Sequence, residues 1–87
     1  MNIFFHGTIA AGFNAIKGKL EKDMAGPMGK LISEYRLADL GNNEVMCAMN
    51  RTDIEAMGAF MADPAEIQWD KDNGAVYKAY MISEMTE

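Results

Sequence analysis

Residues 33–50, SEYRLADLGNNEVMCAMN, hold two strand-like runs around a Gly-Asn-Asn turn. The first run, 33–40, alternates: Tyr35 and Leu37 fall on one side, Glu34, Arg36 and Ala38 on the other. The second, 44–50, is apolar on both sides. Gly41, Asn42 and Asn43 tolerate the positive φ that a tight hairpin turn requires. A half-exposed strand joined to a doubly apolar one predicts a hairpin whose second strand lies inside a sheet, covered on both faces.

The flanks decide which sheet this is. Upstream, residues 2–8, NIFFHGT, read as another strand apolar on both sides, with Ile3 and Phe5 on one face and Phe4 and His6 on the other. Residues 10–23 read as a helix. Phe13, Ile16, Leu20 and Met24 recur at helical spacing, while Asn14, Lys17, Lys19, Glu21 and Lys22 fill the opposite side. Gly26-Pro27 breaks it, and Met28, Leu31 and Ile32 suggest a short turn tucked back onto the core. Downstream, Thr52-Asp53-Ile54-Glu55 has the capping-box pattern, with Thr52 and Glu55 exchanging backbone hydrogen bonds. The helix it starts is expected to bury Ile54, Met57, Gly58 and Met61. Asp63-Pro64 restarts the chain as a second short helix carrying Ile67 and Trp69, which Asn73-Gly74 ends. Residues 75–83, AVYKAYMIS, form the last strand.

The order β-α-β-β-α-β predicts an α+β, ferredoxin-like domain spanning 1–87: a four-stranded antiparallel sheet with two helices on one face. Right-handed crossovers put the first and third strands in the middle, in agreement with their doubly apolar composition. The face without helices carries Phe4, Met46, Ala48 and Tyr80. A patch of that kind rarely stays wet, so a homodimer packed sheet to sheet through a two-fold interface is expected.

Composition narrows the function classes. Thirteen acidic residues against eight scattered basic ones give a net charge of -5, which disfavours nucleic acid as a partner. The single cysteine, Cys47, excludes an internal disulfide and is expected to be a buried, inert thiol. A reducing, cytoplasmic location is expected. No basic segment precedes the apolar start, and no run approaches the ~20 apolar residues of a membrane span, so neither a signal peptide nor a membrane is expected. Gly7 and Gly12 fit no phosphate-loop pattern, and one His with one Cys does not build a zinc site. No cofactor and no metal are expected.

Two segments carry a resemblance. FNAIKGKLEKD at 13–23 resembles the first helix of the dimeric α/β-barrel superfamily, where an Asp-Phe pair precedes a Trp-Lys pair one turn on. Phe13 and Lys17 match; Gly12 and Ile16 stand where Asp and Trp would be. DIEAMGAFMADPAEIQWD at 53–70 resembles the broken second helix of the same superfamily, which includes small monooxygenase-like, muconolactone-isomerase-like and stress-responsive domains. The resemblance implies the fold, a dimer and a cavity. It implies no single reaction, because the fold hosts many.

His6 is the natural acid–base candidate, since imidazole is the side chain that ordinarily titrates near neutrality. It stands near the carboxyl end of a central strand, on the face away from the helices. The alternative is a structural histidine at a dimer seam. Arg36, Asn50 and Lys78 share that face by alternation and would suit an anionic or carbonyl ligand. The alternative there is that Arg36 and Lys78 reach solvent and pair with Glu34 or Glu44. Trp69 and Tyr80 either line a pocket mouth or cap the core, and Tyr35 and Tyr77 read as core. Nine methionines, among them Met24, Met28, Met46, Met49, Met57, Met61 and Met81, are expected to touch an adaptable interior.

Three functional readings stand. The first is binding of a small apolar or aromatic ligand, with Arg36, Asn50, Trp69 and Tyr80 contributing. The second is a cofactor-independent monooxygenase or isomerase with His6 as acid/base and Arg36 or Asn50 holding an oxyanion. The third is a purely structural or regulatory dimerisation domain.

Overall fold

A computed structural model describes residues 1–83 and 85. Four strands, β1 (Ile3–Ile9), β2 (Ile32–Gly41), β3 (Glu44–Arg51) and β4 (Ala75–Met81), form one antiparallel sheet in the order β2-β3-β1-β4. The two strands that are apolar on both faces, β1 and β3, are the central pair. Among the described residues there are also three helices, α1 (Phe13–Met24), α2 (Ile54–Met61) and α3 (Pro64–Asn73), with a 3₁₀ turn over Pro27–Lys30. This is the ferredoxin-like α+β architecture.

The hairpin turns through Asn42 and Asn43, both at positive φ, as a two-residue loop whose twist matches the strands it joins. The break after α1 also folds as the sequence predicts: the 3₁₀ turn buries Met28 and leads directly into buried Ile32. Facing the helices are Ile3, Phe5, Val45, Cys47 and Met49, which join Ile16 and Leu20 of α1 and Met57 of α2 in one core. Ile9, at 0% exposure, seals its end.

Several local expectations are corrected. The first helix begins at Phe13 rather than residue 10. Ala10 and Ala11 donate backbone hydrogen bonds to the carbonyls of Gly74 and Asn73, which tie the end of β1 to the α3–β4 turn. Asp53, not Thr52, caps α2, its carboxylate accepting from the Ala56 N–H at 3.0 Å. Thr52 instead donates through its hydroxyl to the Lys30 carbonyl, which holds it one residue short of the helix. Of the expected α2 stripe only Met57 is buried; Ile54 (55%) and Met61 (37%) are exposed, and Phe60 packs against the core instead. The helix is only eight residues long and touches the sheet along one turn. On α3, Ile67 is exposed and no residue is buried. The last strand stops at Met81, short of residue 83, and Met81 is 86% exposed. Of the methionines, Met28, Met49 and Met57 are buried, Met24 is half-buried against them, and Met46 and Met61 border the space between sheet and helices.

Candidate functional site: a helix–sheet cavity with a charged mouth

The antiparallel registers sort every candidate side chain onto a face. Phe4 pairs with Ala48 and Tyr80, His6 with Met46 and Lys78, and Arg36 with Ala48. Phe4, His6, Arg36, Asn50, Lys78 and Tyr80 thus share the sheet face that carries no helix. They do not converge there. The His6 Nε2 lies 2.7 Å from a Glu44 carboxylate oxygen, both side chains being over two-fifths exposed. Arg36 pairs with its neighbour Glu34 at 3.1 Å and donates to the Tyr35 carbonyl. Asn50 donates to the Ser33 hydroxyl. Tyr80 lies beside Phe4, ring centroids 6.2 Å apart, and is half exposed. Trp69 stands apart from this set, on α3 in the helix layer.

The apolar cavity is on the other side of the sheet. A cavity of about 100 Å³ lies between the sheet and the helices, walled by Phe5, Ile16, Leu20, Val45, Cys47 and Met57 among others. Gly7, Leu37 and Tyr77 also border it, so all four strands contribute. Its walls are apolar except at one end, where Lys19, Asp23, Glu66, Asp70 and Tyr77 meet.

That end is a connected polar cluster. Lys19 bonds Asp23 one turn along α1, and Glu66 of α3 at 2.5 Å. The Lys19 side chain is only 11% exposed, and its ammonium stands 5.3 Å from the centre of the Trp69 ring, within cation–π range. Burial alone would lower the pKa of Lys19, but the bonds and charges of Asp23 and Glu66 outweigh it and raise the value. The Tyr77 hydroxyl donates to Asp70 at 2.7 Å. Burial first, then the neighbouring carboxylates Asp70 and Glu66, push the Tyr77 pKa far above its usual value, so it stays a neutral donor. Outside, Lys19, Asp23 and Glu66 floor a groove of about 330 Å³ between α1 and α3, with Trp69 on its wall. The ion pair therefore partitions cavity from groove.

The polar pattern sets Lys19 on the solvent side of α1, whereas the fold buries it against Asp23 and Glu66. The available signal was spacing. Lys19 follows Ile16 by three residues and Ala15 by four, which sets it at the border of the apolar stripe, and Asp23 follows it by four. Its partner Glu66 is 47 positions away, so no local pattern pointed to it.

The element order and sheet topology define a ferredoxin-like α+β domain. A solved structure from Deinococcus radiodurans, described as a "putative antibiotic biosynthesis monooxygenase", superposes with a TM-score of 0.50 at 16% sequence identity, over 98% of this chain and 96% of that one. The likeness is one of fold. No protein-family model matches the sequence, and no curated protein matches it. Among the described residues no helix is long and apolar enough to cross a membrane.

Proposed function

We propose that this protein is a small ligand-binding homodimer, which takes an apolar or aromatic molecule into the cavity between sheet and helices. The observation that carries the reading is the cavity itself: an apolar cleft with a charged cluster at one end, the kind of lining small-molecule sites share. At about 100 Å³ it is smaller than the roughly 150 Å³ cavity known to take benzene, so a single-ring body enters only if the walls give way. Met49 and Met57 line it, and flexible thioether side chains let it enlarge. The dimer reading rests on the bare sheet face, where Phe4, Met46, Ala48, Val76 and Tyr80 make an apolar centre. Val76 is 71% exposed in the single chain.

Ligand-induced stabilisation tests the binding reading. Saturating toluene raises the unfolding midpoint of the wild-type protein, because a ligand of the folded state stabilises by mass action. Cys47→Leu fills the chamber and abolishes that increment. An unchanged midpoint in the wild type refutes the reading.

The 2.7 Å His6–Glu44 contact favours a second reading, in which His6 acts as acid/base on a substrate held between two sheets. His6→Gln would then abolish turnover of that substrate without altering toluene binding. If His6→Gln leaves the dimer and all binding unchanged, His6 is a structural residue of the bare face and the dimerisation reading alone accounts for that face.

A further inference from the structure

The charged end of the cavity has a definite hydrogen-bonding sense. A lysine ammonium carries three N–H donors and accepts nothing. Lys19 directs two of them at Asp23 and Glu66, and its remaining charge faces the Trp69 ring. The Tyr77 hydroxyl spends its one proton on Asp70. The side-chain donors at this end are therefore taken by the cluster itself. Acceptors remain: Asp23, Glu66 and Asp70 each bond through one named oxygen, which leaves each a second oxygen without a bond inside the cluster. Three carboxylates against one ammonium also leave the end with an excess of two negative charges. The side chains of Lys19, Asp23 and Glu66 are 11%, 17% and 23% exposed, so solvent screens this field only in part.

We propose that the cavity selects a ligand whose apolar body carries a cationic, hydrogen-bond-donating head, an amine, and that Glu66 and Asp70 receive that head. The proposal rests on the cavity reading above and adds the chemistry of the ligand. Two features combine in it: an apolar cavity gives the body a place, and the donor-poor, acceptor-rich end gives the head its sign. A carboxylate-bearing ligand meets the opposite situation. It would bring a fourth negative charge to a site whose only cation is already doubly paired, and such like-charge juxtaposition is costly.

Three single-ring probes of matched shape test this directly on the intact wild-type chain. Benzylamine, benzyl alcohol and benzoate are titrated separately at pH 7, with amide chemical shifts of the cavity residues as the readout. Benzylamine is expected to bind most tightly, benzyl alcohol next, and benzoate weakest, with at least about a tenfold gap between amine and acid, the scale of one charge-assisted hydrogen bond. Glu66→Gln and Asp70→Asn, which keep shape and remove charge, are each expected to narrow that gap. Benzoate binding as tightly as benzylamine overturns the proposal while leaving the cavity reading intact. If none of the three probes shifts a cavity amide, the cavity reading itself fails and the proposal falls with it. A gap that persists undiminished in both variants overturns the assignment of Glu66 and Asp70.

Discussion

Gly7 stands in the middle of β1 with its α-carbon against β4. A Cβ there would lie 2.1 Å from the Val76 carbonyl oxygen and 2.5 Å from the Tyr77 Cα, and both are backbone atoms that yield only if the strand moves. Since Gly7 borders the cavity beside Tyr77, Gly7→Ala is expected to destabilise by about 1–3 kcal/mol or more and to displace the Tyr77–Asp70 bond. Urea unfolding measures the first effect and the Tyr77 resonances the second. Cys47 shows a different residue-level constraint. Burial raises its thiol pKa to about 11, so it resists thiol reagents at neutral pH until the chain unfolds. The sign of the pH effect follows. An unfolded thiol loses its proton near pH ~8.5 while the folded one keeps it, so stability falls as pH rises between those values. Lys19 and Tyr77, both raised, act in the same direction. Unfolding midpoints at pH 7 and pH 10 check this, and Cys47→Ala should lose less stability than the wild type over that interval.

Among the elements, α3 differs from the rest. It fully buries no residue: Trp69 packs half-buried against the core, and polar ties add Lys19–Glu66 to α1, Tyr77–Asp70 to β4, and the carbonyls of Asn73 and Gly74 to Ala11 and Ala10. Its amides should exchange faster than those of α1, which buries Ile16 and Leu20. Lys19→Met should speed that exchange further and cost about 1–3 kcal/mol, because it strands Asp23 and Glu66 beside each other. Hydrogen exchange followed by amide makes both comparisons; equal protection of α1 and α3 in the wild type would contradict this view of α3. The same helix shows where sequence reasoning ran out. The strands were legible because a period of two sorts apolar from polar residues, and the doubly apolar 2–8 and 44–50 identified the central pair. The breaks at Gly26-Pro27 and Asp63-Pro64 were legible from backbone chemistry. The α2 stripe was not: helical spacing states which residues share a face but not how much of that face meets the sheet, and a two-turn helix covers only Met57. The charged end of the cavity was hidden for a related reason, since Lys19 finds Glu66 and Tyr77 finds Asp70 only after α3 is folded over α1 and β4.

On the scale of the whole molecule, the two faces of one sheet differ. The helix side borders the cavity. The bare side, centred on Phe4 and Met46, is the proposed seam between two copies, with the His6–Glu44 pair beside it. Light scattering on the eluting protein should give about 19 kDa, twice the 9.6 kDa of one chain, and Phe4→Asp should return the single-chain mass by placing a charge in the seam. A wild-type mass near 10 kDa would leave the bare face without its proposed partner, but it would not touch the cavity. The central claim concerns the cavity, and toluene titrated into isotope-labelled protein tests it most directly by locating the bound ligand. The account predicts saturable shifts at the amides of Phe5, Ile16, Leu20, Cys47, Met57 and Tyr77, with Phe4, Ala48 and Tyr80 little changed. Shifts confined to the latter three, or none that saturate, would contradict it.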